Sequence, residues 1–227
     1  MNKKRYIISL GGSLIVPDEV DIKFLRGFRS LIETQIKRGR KFILITGGGR
    51  TSRRYSEAAK ALGELNPDDL DWLGIHSTRL NGHLMRTIFR KVAYSRIITN
   101  PNQPESAKEA VIIAAGYRPG WSTDYDAVLL ARGYKSQTVL NLSNVDYVYD
   151  KNPKTHPGAK SIKNISWHDF RKIVGNKWDP GLNLPFDPVA SRLAEKQKLR
   201  VIVMNGRKLQ NLKNFFAGKK FKGTVIG

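Results

Sequence analysis

The chain has 227 residues, with 40 Lys and Arg against 19 Asp and Glu, a formal charge of +21, and no cysteine. That length supports one sizeable core. The absence of thiols excludes disulfides and thiolate-held metals, and the four histidines (His76, His83, His156 and His168) show no metal-ligand spacing. The charge is spread along the sequence with no zinc-finger spacing, RNP-like aromatic motif or basic-zipper heptad. It reads as a general basic surface whose field favours anionic ligands, with nucleic acid bound only weakly and non-specifically. Lys3-Lys4-Arg5 precedes an apolar run, but Gly11-Gly12-Ser13 and Pro17 interrupt it, and no stretch approaches membrane-spanning length. A cytoplasmic protein with no membrane partner is expected.

In chain order, Tyr6 to Leu10 is a β-prone run that passes directly into Gly11-Gly12-Ser13, a strand with a tight glycine exit. Asp21 caps a helix whose Ile22, Leu25, Phe28, Ile32 and Ile36 follow helical spacing, and Gly39 ends it. Lys41 to Thr46 is a second strand ending in Gly47-Gly48-Gly49, after which Thr51 or Ser52 opens a helix carrying Arg53 and Arg54. Asn66-Pro67-Asp68-Asp69 is a turn and cap for a long helix from Leu70 to Arg90, with Arg79 and Asn81 polar in its middle. Residues 97–108 read as loop, with Pro101 and Pro104. Val111 to Ala115 is a buried strand that exits through a Pro-Gly loop at Gly116 to Gly120, where Ser122 or Thr123 caps an Ala/Leu-rich helix.

Thr138 to Leu142 is another buried strand, and the polar segment from Asp150 to Gly158 is a surface loop or hairpin. Trp167 to Val174 is a short helix capped by Ser166, Gly175 to Pro185 a connection, and Asp187 the cap of a helix through Lys198. Arg200 to Met204 is a strand closed by Asn205-Gly206, Leu209 to Phe216 a helix, and Gly223 to Ile226 a closing strand. Strands alternating with helices predict an α/β fold with a mainly parallel sheet, helices on both faces, and ligands at the carboxyl ends of the strands.

All three glycine-rich exits fall at such ends. Glycine lets backbone N–H groups approach a phosphate closely, and Arg53, about one turn into its helix, offers a bidentate clamp for the same anion. Neither a G-x-x-x-x-G-K-[ST] loop nor a G-x-G-x-x-G fingerprint occurs. Several glycine loops, an arginine and a few aspartates suit the alignment of two phosphorylated ligands and Mg²⁺ for in-line phosphoryl transfer.

The ordered set L-G-G-S-L (10–14), G-G-G-R-T-S-R-R-Y (47–55), D-W-L-G-I-H-S-T-R-L-N-G (71–82), P-G-W-S-T-D-Y-D-A-V-L-L-A (119–131), S-N-V-D-Y-V-Y (143–149) and P-F-D-P-V-A-S-R-L-A (185–194) resembles the amino acid kinase family. Within it, the uridylate (UMP) kinases of the archaeal-type branch are the most similar. The resemblance implies a three-layer αβα sandwich formed by a single domain, 1–227, with an acceptor lobe over about 1–115 and an ATP lobe over 116–227. It implies transfer of the γ-phosphate of ATP to UMP with Mg²⁺, in a homo-oligomer, a hexamer by that resemblance.

Carried over by position, Gly12, Ser13, Gly49, Arg53, Ser143, Asp146, Tyr149 and Asn152 would face ATP. Gly48, Asp71 and the loop Arg118, Pro119, Gly120, Trp121, Ser122, Thr123 and Asp124 would hold UMP. Asp124, Gly12 and Arg53 would form the transfer centre, with Asp124 a possible outer-shell partner of the metal. Many members carry a lysine where this chain has Ser9, which puts the weight on Asp124. A family sibling acting on another small phosphate acceptor, such as isopentenyl phosphate, is an alternative, although no histidine lies between Gly47 and Ile75. A basic nucleic-acid-binding protein on the same scaffold is the other.

Overall fold

The apolar runs pair laterally into one sheet in the computed structural model, which describes residues 5–153, 155–175 and 184–227. The first half contains β1 (Arg5–Leu10), α1 (Gly12–Ile15), α2 (Ile22–Lys37), β2 (Lys41–Thr46), α3 (Gly49–Leu62), α4 (Pro67–Ile88), β3 (Ala93–Ile98) and β4 (Val111–Ala114). The second contains α5 (Thr123–Gly133), β5 (Thr138–Ser143), β6 (Val148–Tyr149), β7 (Ser161–Ile162), β8 (Asn164–Ile165), α6 (Trp167–Val174), α7 (Pro188–Lys196), β9 (Arg200–Asn205), α8 (Leu209–Phe216) and β10 (Thr224–Ile226).

The sheet has eight strands in the order β3-β4-β2-β1-β5-β9-β10-β8, with β6 and β7 forming a separate two-stranded hairpin. From β3 to β9 neighbouring strands run parallel, and β10 pairs antiparallel to β9. Because successive side chains point to opposite faces, strands buried on both sides must be apolar throughout, which is why β1, β2, β4, β5 and β9 read as continuous runs. Ile7, Ile43, Ile112, Val139 and Val201 pack with α5, α6 and α7, while Ile8, Leu44, Ile113, Leu140 and Ile202 pack with α1, α2, α4 and α8. The result is the expected αβα sandwich. Helix α3 buries no residue and lies outside both cores, against α4.

Caps follow the sequence closely. Asp21 accepts from Phe24 N at 2.8 Å, Ser122 from Tyr125 N at 3.2 Å, Ser166 from Asp169 N at 3.1 Å and Asp187 from Ala190 N at 2.6 Å. Four expectations change. Residues 97–108 are not all loop, since β3 runs to Ile98; its central Ser95 and Arg96 are exposed and its register with β4 is irregular, so an edge strand hid behind a weak pattern. Helix α3 starts at Gly49 with Gly48 as its cap, so Thr51 and Ser52 lie inside it. Helix α7 stops at Lys196, and Lys198 turns the chain at φ +52°. Ile22, assigned to the apolar stripe of α2, is 65% exposed at the first position of the helix. The Gly175 to Pro185 connection and the Lys3-Lys4 start fall largely on residues outside the described ones.

Phe28, fully buried on α2, and Ile22 therefore make a matched test of the packing. Phe28→Ala should cost about 3–5 kcal/mol and Ile22→Ala no more than about 0.5 kcal/mol in urea unfolding. Equal costs at the two positions would contradict the orientation of α2.

Candidate active site

The carboxyl ends of β1 and β2 meet backbone to backbone. Gly11 N donates to Leu142 O at 2.9 Å and Gly47 N to Leu10 O at 3.0 Å. A Cβ on Gly12 would stand 2.1 Å from Gly49 N, and one on Gly47 2.5 Å from Gly12 N, so no side chain fits between the two turns. Gly49 also has φ +68°, a left-handed conformation natural to glycine. Asn81 on α4 donates to Gly47 O at 2.8 Å and Gly48 O at 3.2 Å, fixing the second turn from beneath. Helices α1 and α3 leave these turns without a side-chain cap, in contrast to α2, α4, α5, α6 and α7. Leu14 N and Arg50 N are taken by Gly11 O and Val16 O, each at 2.9 Å, and the uncapped N–H groups beside them are suited to an anion.

The third exit is rooted by side chains. Gly116 N donates to Thr78 Oγ1 at 2.8 Å and Tyr117 N to Asp126 Oδ2 at 3.2 Å, while Arg79 donates to Gly116 O at 3.2 Å and Tyr117 O at 2.9 Å. Every backbone polar group of Gly116 and Tyr117 is thereby engaged by α4 or α5. Beyond the root, Asp71 accepts from Gly120 N at 2.7 Å, Arg118 lies 4.3 Å over the Trp121 ring, and Trp121 packs edgewise on Tyr125 at 4.7 Å. Pro119 completes the turn, and Thr123 opens α5 behind its cap Ser122.

Asp124 sits where this loop meets the first glycine turn. It accepts from Ser9 Oγ at 3.1 Å and from Asp187 N at 3.2 Å, and no basic side chain pairs with it among the described residues. Burial, reinforced by the neighbouring Asp187 carboxylate, lifts Asp124 to about 7. Burial raises Asp187 as well. Asp126 is likewise lifted to about 7 by burial, and its Oδ1 is enclosed without a hydrogen-bond partner among the described residues. No group of three or more His, Asp and Glu side chains could alone enclose a metal among the described residues. Asp124 with Asp187 could supply part of a shell completed by phosphate and water oxygens.

On the other flank, Ser143 ends β5 next to Gly11, and its carbonyl accepts from Gly206 N at 2.8 Å. Asp146 accepts from Lys208 Nζ at 2.5 Å and Asn205 Nδ2 at 2.9 Å, and the Lys208 bond holds it below the usual carboxylate range. Arg207 donates to Ser13 O at 3.0 Å and Asp21 Oδ2 at 3.2 Å. Tyr149 and Asn152 belong to the β6–β7 hairpin, anchored by Val148 N on Thr224 Oγ1 at 2.8 Å. Arg53 is exposed on α3, one turn past Gly49. Its neighbours Arg50 and Arg54 engage Asp18 at 3.7 and 2.7 Å, whereas Arg53 makes no ion pair among the described residues.

The structure thus joins Gly12, Ser13, Gly48, Gly49 and Asp124 around one corner, with Asp71 and the 118–123 loop beside it. Thr78, Arg79, Asn81, Asp126 and Asp187 were not among the expected site residues. Arg79 and Asn81 had announced themselves as polar residues within an amphipathic helix, and Asp187 as a cap, but their partners are distant in sequence.

The sequence pattern of the amino acid kinase family matches residues 4–205. Uridylate kinases from Thermoplasma volcanium and Thermococcus sibiricus are 32% and 30% identical over 229 and 225 residues, covering 97% and 98% of this chain and 96% and 99% of theirs. The crystal structure of uridylate kinase from Archaeoglobus fulgidus superposes with a TM-score of 0.82 at 29% identity, covering 99% of this chain and 100% of that one.

Raised carboxylates fix the sign of a pH dependence. With Asp124 and Asp126 lifted to about 7, the folded chain binds more protons than the unfolded chain above about pH 4, so stability falls as pH rises through about 7. Asp124→Asn and Asp126→Asn should each flatten part of that fall in urea midpoints measured across the window. Wild-type slopes in both variants would contradict the burial of these groups.

Proposed function

The chain belongs to the amino acid kinase family, and from that premise we propose that it transfers the γ-phosphoryl group of ATP to UMP, giving ADP and UDP. The observation that carries this reading is the junction of two uncapped glycine turns with a third loop, rooted on α4 and α5, at one corner of the sheet. It offers adjoining places for two phosphorylated ligands. Full-length similarity to uridylate kinases supports UMP as the acceptor. The absence of a histidine between Gly47 and Ile75 weighs against the isopentenyl phosphate sibling.

In this reading the 118–124 loop and Asp71 hold UMP, and Gly48 lies beside its phosphate. The ATP phosphates rest on Gly12, Ser13 and Gly49, with Ser143, Asp146, Tyr149 and Asn152 toward the nucleoside. In-line transfer requires alignment and charge neutralisation more than covalent chemistry. The glycine turns align the phosphates, their N–H groups take up developing negative charge, and the unpaired guanidinium of Arg53 closes over the same anion. Asp124, held by Ser9 and Asp187 N, orients the cationic side of the centre. Mg²⁺ would be shared by Asp124 and Asp187, a carboxylate pair without an ion-pair partner among the described residues, and the chemistry it supplies is neutralisation of phosphate oxygens.

We assign the protein to the cytoplasm. Among the described residues no helix is long and apolar enough to cross a membrane. A homo-oligomer is in keeping with the exposed Tyr55 and Leu62 on α3 and Trp72 and Leu80 on α4.

A panel of nucleoside monophosphates with ATP and Mg²⁺ tests the reaction. UMP should turn over fastest, CMP more slowly, and AMP and GMP negligibly, because a polar pocket rejects bases that leave its groups unpaired. Equal rates with purines and pyrimidines would overturn the assignment. Arg53→Lys should cost about 1.5–3 kcal/mol in kcat/KM, roughly ten- to more than a hundredfold, because an ammonium cannot reproduce the guanidinium fork. Wild-type kinetics in Arg53→Ala would reduce this arginine to a surface residue.

A further inference from the structure

Part of the basic excess gathers on one face. Residues 196–227 contain nine Lys and Arg and no Asp or Glu. Their helix α8 packs on α2 closely enough that a Cβ on Gly27 would lie 2.7 Å from Leu209 Cδ1, and Arg40 ties the pair by donating to Phe216 O at 2.7 Å. Helix α2 exposes Lys23, Arg26, Arg29 and Lys37 against one acid, Glu33, already paired with Arg29 at 2.8 Å. Asp21 and Asp146 are also engaged, by Arg207 and Lys208. Lys213, Lys219, Lys220 and Lys222 are exposed and make no side-chain hydrogen bond or ion pair among the described residues.

An open groove of about 720 Å³ runs along this face between α8 and the segment 220–222. Its walls are held in place: the buried Asn211 side chain donates to Lys222 O at 2.6 Å and accepts from Lys222 N at 2.7 Å, while Phe221 packs edgewise on Phe215 at 5.4 Å. Lys220 and Lys222 line it together with the amides of Gln210 and Asn214 and the half-buried ring of Phe221.

We propose that this groove, with the α2–α8 face around it, binds single-stranded nucleic acid without sequence preference. Unpaired lysines neutralise successive phosphates and release counterions, a contribution blind to sequence. An aromatic ring offers a stacking surface, and an open groove admits a continuous strand. The amides of Gln210 and Asn214 are hydrogen-bonded to each other at 3.1 Å, leaving the walls with lysine rather than a fixed base-reading pattern. Lys208, which also lines the groove, pairs with Asp146 on the proposed ATP flank, whereas Lys213, Lys219, Lys220 and Lys222 have no role in the proposed transfer.

The test is fluorescence anisotropy of a short labelled single-stranded RNA of mixed sequence, titrated over a salt series. Wild-type protein should bind RNA and the DNA strand of the same sequence alike, with affinity falling steeply as salt rises. The combined change Lys213→Gln, Lys219→Gln, Lys220→Gln and Lys222→Gln should weaken binding at least tenfold at low salt and reduce the slope of log K against log salt by about 3, as expected for four lost contacts to a single strand. Kinase turnover, measured on the same preparations, should be unchanged and reports that the variant is folded. A control variant, Lys60→Gln, Lys91→Gln, Lys135→Gln and Lys160→Gln, removes four exposed charges elsewhere and should retain most of the binding. Equal losses in the two variants would mean net charge alone and would overturn the groove. Unaltered binding in the groove variant, or displacement of RNA by ATP at concentrations that saturate the kinase, would overturn it as well.

Discussion

The constraint on which the site depends is the direct contact of the β1 and β2 turns. Parallel pairing of β1 with β2 brings Leu10 opposite Thr46, so the chain leaves both strands at the same height. The two turns can coexist there because Gly12 and Gly47 leave the space that a Cβ would occupy. From this contact follow the direction of α1 and α3 away from the corner, their starts without a side-chain cap, and the use of Asn81 to hold the Gly47 and Gly48 carbonyls. The root of the 116–124 loop is held by three side chains, two of them, Thr78 and Arg79, on the same helix α4 that carries Asn81. One helix therefore ties the two parts of the corner together.

Electrostatically the corner is unusual for so basic a chain. Asp124 rather than a lysine meets Ser9 at the end of β1, while Arg207 donates to Ser13 O beside the first glycine turn. Ser9 occupies the place where a lysine often stands in the family and donates to Asp124, which would otherwise be buried with Asp187 as its nearest charge. A buried, mutually repelling carboxylate pair is costly without a cation. A bound cation would relieve that cost. The basic surface elsewhere supplies a long-range field that raises the local concentration of anions.

Much of the fold was legible because its central strands are continuous apolar runs and its caps are local: Asp21, Ser122, Ser166 and Asp187 each bond an N–H three residues ahead. Strand β3 was not, since an exposed edge strand with Arg96 at its centre carries no core-facing pattern. The glycine turns and Asp124 could be singled out from their position at strand ends. Their supports could not, because Thr78, Arg79 and Asp126 act across 9 to 38 residues of sequence, and Asp187 reaches Asp124 across 63. Local spacing carries no record of such contacts. Arg53 was singled out for its chemistry, and its distinction within α3, that Arg50 and Arg54 are engaged while it is not, emerges only when Asp18 is placed in space.

The central claim is that Asp124 organises phosphoryl transfer and does not merely stabilise the start of α5, a role worth about 0.3–1 kcal/mol. Asp124→Asn separates the two, since the amide can still accept from Ser9 while the charge is gone. Single-turnover kinetics alongside calorimetric titration of UMP should give a folded protein that binds UMP within a few-fold of wild type and whose transfer rate has fallen by about two orders of magnitude or more. A variant that retains the full transfer rate and loses only thermal stability would contradict the account.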